Sequence, residues 1–283
     1  MSLFEEVDYQ WHYRQYAQSF IIDGNSANNL YFEQQAQEMH ALTVAQAVDG
    51  VTRDALLLLP TTDFAAPAER LFRYGIMRRW RMISASFRDF RSIVSPDRNV
   101  PLSQEQADLS CRALNSIYID IYGLLDNYAW MLVHQSGSEN TRAARPMAVS
   151  LFSRIFRDDP ALATLGNEFE AFVPWVSEFR ERRNPAAHRI PLHVPPAALT
   201  PRDIAEHERI DRQASEALAR GDFGLAAELG EATWRIGSFK PYFVHDPTEA
   251  FMPVFPTLPN DIGNAVRIGR IAHDFLRDTA KSA

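Results

Sequence analysis

The sequence predicts a nearly all-α protein, a bundle of helices. Three observations carry this. Glycine is scarce, with 12 residues in 283. Apolar residues recur mostly at spacings of three and four, the period of an amphipathic helix. The strict alternation expected of strands is rare. A hydrophobic content of 46% and a charged content of 23% are ordinary for a soluble globular chain. The length allows one large domain or two. We divide the chain into an N-terminal helical region, residues 1–98, packed on the main bundle or separate from it, and a helical domain, residues 99–283. That domain has an insertion at about 190–260 and a Pro-rich C-terminal segment that wraps the helices.

Taken in order, Gln34 to Leu59 reads as a helix with Met39, Leu42, Val48 and Leu56 roughly on one side, ended by Pro60. Pro67 opens the next helix, which runs to about Val94 before Ser95-Pro96-Asp97 breaks it. Ser103 with Gln106 three residues on forms a capping-box pattern. The helix it opens carries Leu114, Ile117, Ile121, Leu124, Tyr128 and Met131, a long core stripe. It ends in the polar loop that begins at Ser136. Pro146 to Arg157 reads as a short helix. Gly166-Asn167 precedes a helix that runs from Phe169 to Arg183 and stops at Asn184-Pro185. Four prolines between Ile190 and Pro201 make an extended connector. Thr200 caps a helix with Pro201 in its first position and Asp203 in its third. Phe223 to Ile236 is a further helix, closed by Gly237. Asn260 or Asp261 caps the last one, which reaches about Lys281.

The net charge of −7 excludes wholesale coating of nucleic acid, so any such contact must come from a local basic patch. One patch is evident. Seven arginines lie between Arg70 and Arg91 (70, 73, 78, 79, 81, 88 and 91) against a single acid, Asp89. At about 100° per residue, all but Arg79 share one face. Phe72, Ile76, Trp80, Ile83, Phe87, Phe90 and Val94 form the opposite, apolar face. The arginine face reads either as a solvated surface, neutralised by acids such as Asp203, Glu206, Glu208 and Asp211, or as a track for RNA phosphates. For the second reading we single out Arg70, Arg73, Arg81, Arg88 and Arg91, with Tyr74 as a stacking partner.

The single cysteine, Cys111, excludes an internal disulfide and favours a reducing, cytoplasmic setting. The acidic N-terminus has no apolar run behind it, and the longest aliphatic run, Ala55 to Leu59, is too short to span a bilayer. The eight histidines are scattered and no metal cluster is evident, so no metal or cofactor is expected. Phosphate-binding glycine loops, nucleophile elbows and His-Glu-x-x-His are absent from the sequence, which disfavours nucleotide-dependent transfer, serine hydrolysis and zinc proteolysis.

Arg183-Asn184-Pro185-Ala186-Ala187-His188 is the stretch richest in chemistry. A guanidinium fork suits a phosphate, and an imidazole exchanges a proton near neutral pH. The same residues also fit a plain helix end, with Arg183 favoured by the negative end of the helix dipole. The aromatic helix before them (Phe169, Phe172, Trp175, Phe179), with asparagine directly after the arginine, resembles the HEPN superfamily. Its all-α domains carry an Arg-x4–6-His motif with a polar residue after the arginine. The resemblance covers roughly residues 102–195 and the terminal helix, and it touches the long helix near Asn115 and Asp126-Asn127, polar residues interrupting an apolar stripe.

The resemblance implies a metal-independent endoribonuclease acting as a homodimer, in a defence or toxin system. His188 would be the general acid or base, Arg183 would stabilise the phosphate transition state, and Asn184 would orient the histidine or the phosphate. Asp126 and Asn127 would support the pair. The Pro-rich connector and the insertion depart from a minimal domain of this kind. The alternative, from a different class, is a helical binding module for a nucleotide or a protein, without turnover.

Overall fold

A computed structural model describes residues 5–22, 24–246, 248 and 250–282, with the side chains of His188 and of residues 280–282 outside that description. The protein is mostly helical. Helix α1 is Tyr9–Tyr16, with Asp8 as its cap, and α2 is Ser26–Leu58. Helix α2 starts well before Gln34 because Asn25 caps it, accepting from the Asn28 N–H. Asn28 and Asn29, in its first turn, tie the preceding chain down through bonds to Phe20 and Ile22.

Helix α3 (Ala66–Leu71) passes through a π turn at Phe72–Ile76 into α4 (Met77–Ile93). The sequence accounts for the π turn. Ala68, Phe72, Ile76 and Trp80 are all buried and recur every four residues. In a helix of 3.6 residues per turn that spacing drifts around the axis, and a wider turn removes the drift. Helix α5 (Gln104–Ser136) opens on the capping box of Ser103 and Gln106, as the spacing predicts. It is the central helix, packing against α3, α4, α9 and α12, while α2 packs against α1, α4 and α12. One continuous core runs through residues from both sides of position 98.

Helices α6 (Glu139–Arg142), α7 (Arg154–Arg157) and α8 (Ala163–Glu170) are short. Only a 3-10 turn at Pro146–Ala148 and the four residues of α7 are helical within the segment expected to be one helix. Gly166 lies inside α8 rather than before it. A Cβ there would meet Arg157 Cγ at 2.8 Å, so the glycine permits the close approach of α7 and α8. Helix α9 is Val173–His188 and continues through Pro185.

Helices α10 (Pro201–Ala219, capping box Thr200–Asp203) and α11 (Phe223–Thr233) pack mainly on each other. Strand β1 (Tyr242–Phe243) pairs antiparallel with β2 (Met252–Pro253). The 190–201 connector is extended and bridges to the same region through His193–Val244 and Ala198–Ser238. The last helix, α12 (Val254–Ser282), carries a non-helical residue at Phe255. No described helix is long and apolar enough to cross a membrane.

Two polar clusters lock the bundle. Trp80 Nε1 donates to Tyr128 Oη at 2.9 Å, and that oxygen lies 2.9 Å from His273 Nε2, so α4, α5 and α12 meet at three buried rings. At the other end His12 and His40, both buried with ring centroids 5.4 Å apart, place Nε2 on the carbonyls of Glu6 and Val7. A carbonyl only accepts, so each Nε2 carries the hydrogen.

Burial holds these rings neutral. It drives His40 down to about 4 and His273 to about 3, and lowers His12. The neighbouring charges around His40 are Asp8, Arg267 and His12, and Arg277 adds to the effect at His273. The unfolded chain therefore binds more protons between pH 6.5 and about 4. Stability is complete above pH 6.5 and is lost as pH falls through that window. At about 1.4 kcal/mol per pH unit, His40 alone removes about 3 kcal/mol by pH 4. Urea unfolding at pH 7.5, 6 and 4.5 should show this fall, and His40→Gln should flatten it. A profile unchanged across the window in the parent contradicts the assignment.

Candidate functional site

Arg183, Asn184 and His188 all lie on α9, which the sequence was expected to end at Arg183. Proline removes one N–H and crowds the preceding turn, yet the Arg189 N–H still bonds the Pro185 carbonyl at 2.8 Å, closing the final turn. Five residues along a continuous helix put positions 183 and 188 about 140° apart around its axis and about 7.5 Å apart along it. The side chain of His188, the proposed acid or base, lies outside the described residues.

The guanidinium of Arg183 is well placed. Its Cζ sits 3.9 Å from the centroid of the Tyr122 ring, a cation–π contact. Its Nη1 donates to Asn184 Oδ1 at 3.2 Å, so Asn184 touches the arginine. Tyr122 and Asp126, four residues apart on α5, share the face that meets α9. Asp126 is exposed, yet nearby protein mass pushes its carboxyl up from the ordinary range, opposed by Arg183, then Arg79, then Arg180. Three guanidiniums from α4 and α9 thus act on one exposed carboxylate. Asn127 lies elsewhere. It packs on the π turn, where a Cβ on Gly75 would meet its Nδ2 at 2.6 Å.

Arg79, the one arginine out of line with the α4 stripe, faces α5. It donates to Asp120 at 2.9 Å. Gly123 makes room for it, because a Cβ there would collide with the guanidinium. Burial pushes the Asp120 carboxyl up, with Arg79 and Ser116 pulling it back. Along α4, Arg70, Arg81 and Arg88 are exposed, and Arg78 stacks 4.8 Å over the Tyr74 ring. Arg73 is paired with Glu69 and Arg91 with Glu38. Three of the four acids expected to neutralise this face are engaged on α10 or its cap: Glu206 pairs with Arg209, Asp211 with His207, and Asp203 with Thr200.

One buried charge, Asp261, was expected only as a helix cap. Asp261 caps nothing. It is buried within α12, where its two oxygens take four hydrogen bonds. Oδ1 accepts from Trp175 Nε1 (2.9 Å) and Arg182 Nη2 (2.7 Å), and Oδ2 accepts from Tyr118 Oη (2.8 Å) and Arg182 Nε (3.0 Å). Burial pushes the Asp261 carboxyl up, whereas Asp261 holds Arg182 above its ordinary value despite burial. The first direction disfavours the ion pair and the second favours it. Four donors aimed at one carboxylate decide for the ionised, bidentate pair. A signal existed in the sequence: Trp175, Phe179 and Arg182 follow helical spacing, which turns Arg182 to the same side as the two rings.

His193 lies against the single cysteine. Its Nδ1 lies 3.6 Å from Cys111 Sγ, and the sulfur accepts the Val194 N–H at 3.3 Å. Burial raises the Cys111 thiol, so the pair is a protonated thiol holding the connector and not an activated nucleophile.

Comparison of the chain with protein-family models, curated proteins and solved structures finds no match.

Proposed function

We propose that the protein binds RNA where α4, α5 and α9 meet and cleaves it without a metal, in the manner of the HEPN superfamily. The observation that carries this reading is the Arg183 guanidinium laid 3.9 Å over Tyr122. It stands beside an exposed carboxylate that also feels Arg79 and Arg180. A guanidinium held in place beforehand can meet a phosphate without reorganising.

The chemistry is a transesterification. His188 takes the proton of a ribose 2′-hydroxyl, the 2′-oxygen attacks the adjacent phosphorus, and the bond to the 5′-oxygen breaks. The leaving oxygen takes a proton from an imidazolium, which a second chain supplies if the protein acts as a homodimer. Arg183 offsets the charge that builds on the non-bridging oxygens. The products carry a 2′,3′-cyclic phosphate and a 5′-hydroxyl.

The test is incubation of purified protein with mixed RNA in EDTA. The parent is expected to cut. His188→Ala should lose about 100-fold or more, the usual worth of a general acid or base, and Arg183→Ala about as much. If His188→Ala cuts as well as the parent, the mechanism is wrong.

A second reading, a module that binds RNA or a nucleotide without turnover, is favoured by one geometric fact. Positions 183 and 188 leave the α9 axis about 140° apart, so one chain does not aim both at a single phosphate by helical spacing alone. Light scattering and RNA anisotropy separate the two readings. A strict monomer that binds but never cuts supports the module.

A further inference from the structure

We infer that the exposed arginine face of α4 is the track that holds the backbone of a single-stranded RNA. This rests on the RNA reading above and specifies where the strand lies. The segment from Arg70 to Arg91 holds seven arginines and one acid, while the whole chain carries −7. Its basic surface is therefore set in an acidic molecule and gives a polyanion a favourable place to approach.

Four exposed members, Arg70, Arg78, Arg81 and Arg88, are unpaired with acid among the described residues. Arg78, Arg81 and Arg88 fall within an arc of about 80° and extend about 15 Å along the helix. No hydrogen bond or ion pair within the described residues engages Arg81 or Arg88, and Arg78 is stacked on Tyr74. Tyr74 is 58% exposed, which leaves an aromatic face beside guanidiniums, the pairing that single strands use for base and backbone together. Arginine, with its planar fork, suits phosphate oxygens better than a point charge does.

The π turn alters which residues belong. It rotates Arg70 and Arg73 relative to the arginines that follow it, and Arg73 and Arg91 are spent on Glu69 and Glu38. The track is therefore Arg78, Arg81 and Arg88. Arg79, next to Arg78 in the chain, turns away from the track to face α5, where it acts on Asp126 together with Arg183 and Arg180.

The test uses full-length His188→Ala protein, so that the RNA survives, and a fluorescent single-stranded oligonucleotide titrated across a range of salt. Each phosphate neutralised on a single strand contributes about 0.7 to the slope of log K against log salt. The double variant Arg81→Ala/Arg88→Ala should flatten that slope by about 1.4 and bind more weakly at 50 mM salt, while Arg73→Ala should change neither by much. Equal slope and affinity in the double variant overturn the track, as does failure to bind RNA at all. Binding of this face to vesicles of anionic lipid but not to RNA also overturns it.

The two proposals fail separately. RNA binding that depends on Arg81 and Arg88, without cleavage by the parent, keeps the track and removes the nuclease. Cleavage by a chain restored at His188 and lacking both arginines, equal to the parent at every salt, keeps the nuclease and removes the track.

Discussion

Asp261→Ala is expected to cost about 3–5 kcal/mol of folding stability, the range for breaking a buried ion pair from one side. The carboxylate is almost wholly buried and Arg182 is 12% exposed at its side chain, so solvent cannot replace what is lost. Alanine would leave the guanidinium without its bidentate partner. It would also leave the Tyr118 hydroxyl and the Trp175 N–H without an acceptor. An unmet buried donor carries a further cost. Three helices, α5, α9 and α12, meet at that carboxylate, so the loss should appear as global unfolding in urea. It should move α9, and with it Arg183, out of register. A loss below about 1 kcal/mol would mean that the four bonds are not made in solution.

Arg79→Ala is expected to cost about 2–3 kcal/mol, less than the first because a third of the Arg79 side chain is exposed and water enters the space it leaves. Asp120 would keep only the Ser116 hydroxyl, at 3.3 Å. Burial already raises its carboxyl. Without Arg79 the folded state would hold the proton at a still higher pH than the unfolded chain, so the penalty is largest at neutral pH and shrinks as pH falls through that range. The double variant Arg79→Ala/Asp120→Ala should lose less than the two single losses added together. Additive losses would sink the claim that this pair locks α4 to α5.

The helical fold was legible because it rests on local chemistry. Ser103 with Gln106, and Thr200 with Asp203, cap where their spacing says they should. The apolar face from Phe72 to Val94 is buried as its period predicts. Two features were not legible. Asn184-Pro185 reads as a stop, yet the packing of α9 on α5 carries the helix on to His188, a tertiary override of a local signal. Asn260-Asp261 reads as a cap, yet Asp261 is the acceptor for three residues far away in sequence, and no local pattern shows such a partner set.

The candidate site was half legible. Composition marks Arg183 and the α4 arginines, whereas Tyr122, Arg180 and the Arg79–Asp120 pair become part of it only when α4, α5 and α9 are side by side. The adjacency of Arg182 and Arg183 explains the rest. Of two neighbouring arginines, one is tied to the buried Asp261 carboxylate and the other lies half-buried over Tyr122, and their helical phase tells them apart.

Photo-crosslinking of a 4-thiouridine-substituted single-stranded RNA to the full chain, read by mass spectrometry, tests the central claim most directly. The account predicts adducts on Tyr74 and Tyr122, the two rings that stand under Arg78 and Arg183. Adducts confined to the α10–α11 hairpin, with both tyrosines unmodified, would contradict it.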